Sequence, residues 1–221
     1  MRMVVTKKAL RQFLKWTQRL LFAGAALALG YCAFVLIDAW IFQRGERLRL
    51  ERMLQEQQAA IGGGGIAAAP IATKKLPPLV AGDLIGNIEI PRLGLSAIIV
   101  EGIDRTTLRR AVGHIPGTPQ PGQLGNVGVA GHRDSFFRPL KDISQNDVIN
   151  LTTLHGKYRY RVVSTRIVDP AQVSVLDPTA NETLTLVTCH PFYFVGSAPN
   201  RFIVRAERVL ESEGAPQKAG Q

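Results

Sequence analysis

The chain has 221 residues, 46% hydrophobic and 20% charged, enough for one core of ordinary domain size. Its formal charge of +10 raises nucleic acid as a partner, but the charge is unevenly placed: residues 1–81 hold 12 Lys/Arg against 4 Asp/Glu, and residues 82–210 hold 14 against 11. The basic excess flanks an apolar run, where it orients a membrane helix, and this argues against a phosphate-binding face on the folded part.

Residues 1–19 carry six Lys/Arg and no acid and read as a basic cytoplasmic segment. "LLFAGAALALGYCAFVLI", Leu20 to Ile37, is eighteen residues without a charge, long enough to cross a hydrocarbon core as a helix. A cleaved signal peptide would need a small-residue cleavage site, whereas this run ends in Asp38, Trp40, Ile41 and Phe42. Residues 20–42 are therefore read as an uncleaved, single-pass anchor. Beyond it, residues 38–56 balance four Arg with four acids, so the N-terminus is expected inside and the remainder on the extracytoplasmic side. Residues 43–81 are read as a juxtamembrane helix over "QRGERLRLERMLQEQQAAI", Gln43 to Ile61, followed by a flexible spacer. The spacer begins at "GGGGIAAAP", and its expected role is reach.

From 82 to 210 the texture changes to short β-like runs separated by Gly, Pro, Asn and Asp. These are "LIGNIEIPRL", "LSAIIVEG", "GNVGVAGHR", "DVINLTTL", "KYRYRVVSTRIV", "ETLTLVTC" and "RFIVRAERV". Alternation is clearest where Tyr158, Tyr160 and Val162 interleave with Lys157, Arg159 and Arg161. Seven or eight such strands imply a sandwich or a closed barrel. "TTLRRAVGH", Thr106 to His114, is the one candidate short helix, capped by Thr106 or Asp104. Residues 211–221 read as a disordered tail.

The chain has two cysteines, Cys32 in the expected membrane span and Cys189 in the exported part, so they cannot pair. A lone exported thiol is either a small buried hydrophobe or a reactive group. In "TLTLVTC", Leu184, Leu186 and Thr188 face one way and Thr185, Val187 and Cys189 the other, with Cys189 at the strand end before Pro191. A nucleophilic thiol needs a base or a cationic partner. His190 adjoins Cys189 but projects to the opposite face and reads as a loop or surface residue; His155 sits in a hairpin turn; His114 lies in the Gly/Pro-rich "VGHIPGTPQPG" as a packing residue. His132 ends the apolar run "NVGVAGHRD" and is placed as Cys189 is, so this pair is chosen. Arg201 opens the last strand after the loop from His190 to Asn200, which returns it beside Cys189, although a solvated strand-end charge has the same spacing. Together Cys189, His132 and Arg201 describe acyl transfer through a thioester, with the acyl donor left open.

"LTLVTC", "APNRFIV", "GNVGVAGHRDSFFRPLKDI" and "GHIPGTPQPG" closely resemble, over about residues 82–208, the sortases, and among them class D. The resemblance implies an eight-stranded sortase-type β-barrel with Cys189 as nucleophile, His132 as acid/base partner and Arg201 positioning the substrate or stabilising the oxyanion. Thr188 matches the motif threonine, implied to line the substrate site. The implied activity is cleavage of an LPXTG-like signal on secreted proteins, with transfer to an amine on a cell-wall precursor or a protein lysine. No acidic cluster marks the calcium site of some relatives, and no cofactor is expected. Two alternatives remain open: a thiol endopeptidase that hydrolyses the same signal, and an inactive sortase-like scaffold.

Overall fold

The computed structural model describes residues 7–60, 78–193 and 196–210. The spacer over 61–77 and the tail over 211–221 lie outside the described residues. One uninterrupted helix, α1 (Lys7–Ala60), takes in both the expected anchor and the expected juxtamembrane helix. The chain divides into two compact units, Met1–Ile41 and Phe42–Gln221. In the first unit, Leu20, Leu21, Phe22, Leu27, Leu29, Tyr31 and Phe34 are exposed. A helix with apolar side chains on all sides and no protein cover is stable where lipid replaces the core. α1 is the one helix among the described residues long and apolar enough to cross a membrane.

The second unit is a closed barrel of eight strands: β1 (Leu84–Ile90), β2 (Leu95–Glu101), β3 (Val112–His114), β4 (Asn126–Ala130), β5 (Val148–Thr153), β6 (Gly156–Val168), β7 (Thr183–His190) and β8 (Asn200–Arg208). The order around the barrel is β1-β2-β3-β4-β7-β8-β6-β5, with β5 closing onto β1. The pairs β2/β3 and β4/β7 are parallel and the others antiparallel. Inward residues of every strand meet in one core that includes Ile88, Ile99, Val127, Val129, Leu151, Tyr160, Leu184, Leu186 and Val204. The alternation read in β6 holds: Tyr160 and Val162 are buried while Lys157, Arg159 and Arg161 are exposed.

The short helix differs from expectation. α2 covers only Arg105–Arg110, capped by Asp104, whose carboxylate accepts from the Thr106 and Thr107 amides. "VGH" is instead β3, paired in parallel with Ile99–Glu101 of β2. The local reason is close approach: a Cβ on Gly113 would stand 2.1 Å from the Gly102 carbonyl oxygen, so only glycine lets the two backbones meet. His114 is buried at 2% exposure and clamps the loop that follows. Its Nδ1 lies 2.5 Å from the buried Glu101 carboxylate, and its Nε2 faces the Pro119 carbonyl at 2.9 Å and the Thr118 hydroxyl at 3.1 Å. That hydroxyl donates to the Ile115 carbonyl and accepts from the Gly128 amide, so Nε2 is the donor towards both oxygens. His114→Ala removes the partner of a buried carboxylate and is expected to cost about 3–5 kcal/mol. The denaturation midpoint of the full chain in detergent reads this; an unchanged midpoint contradicts the clamp.

The part of α1 that belongs to the barrel unit packs on β2. Phe42 lies against Ile98, Val100 and Ala111, and the Arg110 guanidinium stands 5.9 Å from its ring centroid. The Gln43 amide accepts from the Ile98 N–H and donates to the Arg110 carbonyl, both at 2.8 Å. These backbone groups lie just outside the short β2/β3 ladder, and the glutamine supplies their missing partners. Arg47 donates to the Ser96 hydroxyl at 2.7 Å.

Candidate active site

The site lies where three strands end on one side of the barrel. β4 and β7 run parallel with Val127 beside Leu184 and Ala130 beside Val187. The ladder ends there: His132 follows β4 by two residues, and Cys189 lies two residues beyond Val187 within β7. β8 runs antiparallel to β7 and sets Arg201 directly opposite Cys189. Because Leu184, Leu186 and Val204 point into the core, alternation turns Cys189 and Arg201 to the outer face. Cys189 and Arg201 are half-buried and His132 is exposed. The thiol is therefore not sealed in hydrocarbon.

The chain around His132 is fixed by backbone bonds. The Gly131 amide donates to the Val187 carbonyl at 3.1 Å, and the Gly131 carbonyl accepts from the Thr188 hydroxyl at 2.7 Å. A Cβ on Gly131 would come within 2.8 Å of the buried Phe137 ring, which accounts for glycine before the histidine. The Phe137 amide donates back to the His132 carbonyl at 3.0 Å, closing the turn. Thr188 is thus buried at 2% exposure inside the barrel, with its hydroxyl holding the segment that carries His132.

Arg133 is a residue the sequence reading passed over. Its guanidinium, on a residue only 9% exposed, donates to the Pro191 carbonyl at 3.0 Å and the Gly196 carbonyl at 2.9 Å. It ties the β7–β8 loop, immediately after Cys189, to the segment of His132. The signal was present: a second cation next to the chosen histidine in "AGHRD". Lys141 holds the same loop from another side, donating to the Tyr193 hydroxyl at 2.9 Å. Arg201 donates to the Asn200 carbonyl at 3.2 Å.

His190 is not a loop or surface residue. It is the last residue of β7, half-buried, stacked on Phe202 at 6.2 Å and edge-on to Phe192 at 5.9 Å. The shift in reading has a simple cause: the face opposite Cys189 at this end is the barrel mouth, closed by these aromatic rings. His155 is exposed in the β5–β6 turn and His114 is the buried clamp. Among the described residues no group of three or more His, Cys, Asp or Glu is placed to hold a metal ion.

An eight-stranded barrel with a half-buried thiol one residue from the end of β7, and an arginine directly opposite it on β8, has the make-up of a cysteine acyl-transfer enzyme. The sortase domain model matches residues 88–209. Sortase D of Bacillus subtilis (strain 168) is 31% identical over 188 residues, which is 85% of this chain and 94% of that protein. The chain belongs to the sortase family and is a sortase transpeptidase. Among solved structures, a Clostridium perfringens Sortase D5 transpeptidase superposes with a TM-score of 0.60 at 24% identity, over 76% of this chain and 98% of that one. The SrtA sortase of Actinomyces oris gives 0.54 at 29% identity, over 66% and 93%. The first of these speaks for the fold alone.

Proposed function

We propose that this sortase is a membrane-anchored transpeptidase that cleaves an LPXTG-like sorting signal on exported proteins and joins the protein to an amine at the cell surface. The reading is supported by strand register, which sets Arg201 directly opposite Cys189 and puts β4, which His132 follows by two residues, parallel to β7. In this reading the Cys189 thiolate attacks the carbonyl carbon of the signal threonine, and the electron pair moves to oxygen. The Arg201 guanidinium donates to that oxyanion. His132, as imidazolium, gives its proton to the departing amide nitrogen, and the C–N bond breaks to leave a thioester on Cys189. An incoming amine then attacks the thioester, His132 takes the proton the amine loses, and the thiolate departs. Thr188 and Arg133 act without touching substrate, the first through the Gly131 carbonyl and the second through the β7–β8 loop.

α1 is compatible with a single-pass anchor in the cytoplasmic membrane, and the basic flank before it supports an inside N-terminus with the barrel outside. Exposure of His132 leaves room for water at the same thioester, which favours hydrolysis as the competing fate. Product analysis separates the two. Incubation of the full chain in detergent with a sorting-signal peptide and a primary-amine peptide is expected to yield the ligated product as the main species, falling to hydrolysed acid when the amine is omitted. Acid as the main product at saturating amine would make the enzyme a thiol endopeptidase, and no cleavage of any such peptide would leave a scaffold.

A further inference from the structure

We propose that α2 and the start of the barrel unit around it form a docking surface for the headgroups of anionic phospholipids in the membrane that holds α1. The proposal rests on the anchored reading above and adds a second, reversible contact to the anchor. Its centre is the face of α2 that carries Arg105 and Arg109, four residues apart and therefore neighbours on the helix surface, both exposed. Arg44, exposed on α1, follows Gln43, whose amide donates to the Arg110 carbonyl at the end of α2, so α1 brings Arg44 to the same corner. The Arg110 guanidinium stands 5.9 Å from the Phe42 ring centroid.

Position along the chain says what this corner meets. Phe42 comes five residues after Ile37, where the charge-free run ends, and the helix is unbroken between them, a rise of about 7.5 Å. A headgroup layer is about 5–8 Å thick, so Phe42 and the arginine beside it stand at the level of lipid phosphates. Two apolar side chains lie next to the arginines: Ile103, in the loop before α2, is 45% exposed, and Val80 is 67% exposed. The Gly82 amide donates to the Glu101 carbonyl at 2.9 Å, which holds the Val80 segment beside that loop. Cations next to exposed aliphatic groups suit a boundary where phosphate lies over acyl chain.

The nearby acids, Asp83 and Asp104, already serve local turns: Asp83 accepts from the Val80 amide at 2.8 Å, and Asp104 accepts from the Thr106 and Thr107 amides. With Arg110 the corner holds four arginines against these two carboxylates, and each arginine at an anionic leaflet favours contact about fivefold. Arg105 and Arg109 repel each other across one turn of helix, and a negative surface over both removes that cost. A single-pass helix by itself leaves a soluble domain free to tilt on the leaflet; contact at α2 restricts the tilt.

The test uses the full chain in lipid nanodiscs, with a fluorophore attached through Thr106→Cys, an exposed position on α2, in a Cys32→Ala, Cys189→Ala background. Quenching by a lipid with a nitroxide on its headgroup is compared between discs of phosphatidylcholine alone and discs that also contain phosphatidylglycerol. The ratio of quenched to unquenched fluorophore is expected to rise about fivefold or more with phosphatidylglycerol, and Arg105→Gln with Arg109→Gln to return it to within about twofold of the neutral disc. Arg105→Lys with Arg109→Lys is expected to keep most of the rise, which separates lost charge from a damaged helix, and high salt to weaken it. Equal quenching in the two discs, or a rise that survives the double Gln substitution, overturns the proposal. So does a response to soluble polyphosphate in the neutral disc with none to phosphatidylglycerol, which would assign the surface to an anionic polymer. Failure of the chain to enter any disc counts against the anchored reading; association of the same labelled chain with vesicles of the two compositions then judges the surface by the same fivefold difference.

Discussion

Cys189→Ala is expected to abolish cleavage of a sorting-signal peptide, a loss of at least about a thousandfold in kcat/KM. The remaining thiol, Cys32, lies in the apolar part of α1. The alanine keeps the backbone of β7 and removes a single sulfur from a half-buried outer face, so folding survives and the loss reports chemistry. His132→Ala is expected to fail nearly as completely, because the departing nitrogen then lacks its proton. The double variant should be no worse than either single one, since groups that act in one step are not additive. Thiol labelling in a Cys32→Ala background gives the independent check: Cys189 reacts with a soluble alkylating reagent in the folded enzyme. Retention of full activity by Cys189→Ala would remove the proposed mechanism.

Much of this site is visible in the sequence because strand alternation has a period of two and the barrel has one buried face. "TLTLVTC" assigns Cys189 to the face opposite Leu184 and Leu186 by counting alone. What alternation does not carry is which strands are neighbours. β4 and β7 are separated by more than fifty residues, yet they pair in parallel; the match in placement of His132 and Cys189 after two apolar runs hinted at this pairing without requiring it. β3 escaped because three residues between a helix and a Pro-rich loop offer no periodicity, and its strand character comes from the approach of Gly113 to the Gly102 carbonyl. His190 was misjudged because one outward residue says nothing of what closes the mouth behind it, and the rings of Phe192 and Phe202 arrive from the loop and from β8. Docking of the helix on the barrel was likewise hidden, since Gln43 reads as an ordinary polar residue after an anchor until Ile98 and Arg110 present unpaired backbone groups to it.

Arg201→Ala is expected to lower kcat by about a hundredfold to a thousandfold, the loss typical of removing one donor to a developing oxyanion, with little change in KM. Register makes Arg201 the direct cross-strand partner of Cys189, and the hydrogen bond of its guanidinium to the Asn200 carbonyl holds it at the head of β8. A ground-state contact to the peptide would instead appear in KM with kcat unchanged. Arg201→Lys separates charge from shape: an ammonium keeps the positive charge beside the thiol but loses the planar fork and its second donor direction, so partial rescue, to within about tenfold of the unaltered enzyme, is expected. Rescue to full activity would mean that charge alone matters there, and activity of Arg201→Ala within about fivefold would exclude any part for the guanidinium in the oxyanion step. Folding is a minor concern in this comparison, because Arg201 is only half-buried and makes no salt bridge among the described residues, so its removal opens no cavity in the core and strands no buried charge. The carbonyl it releases faces the rim, where water can take its place.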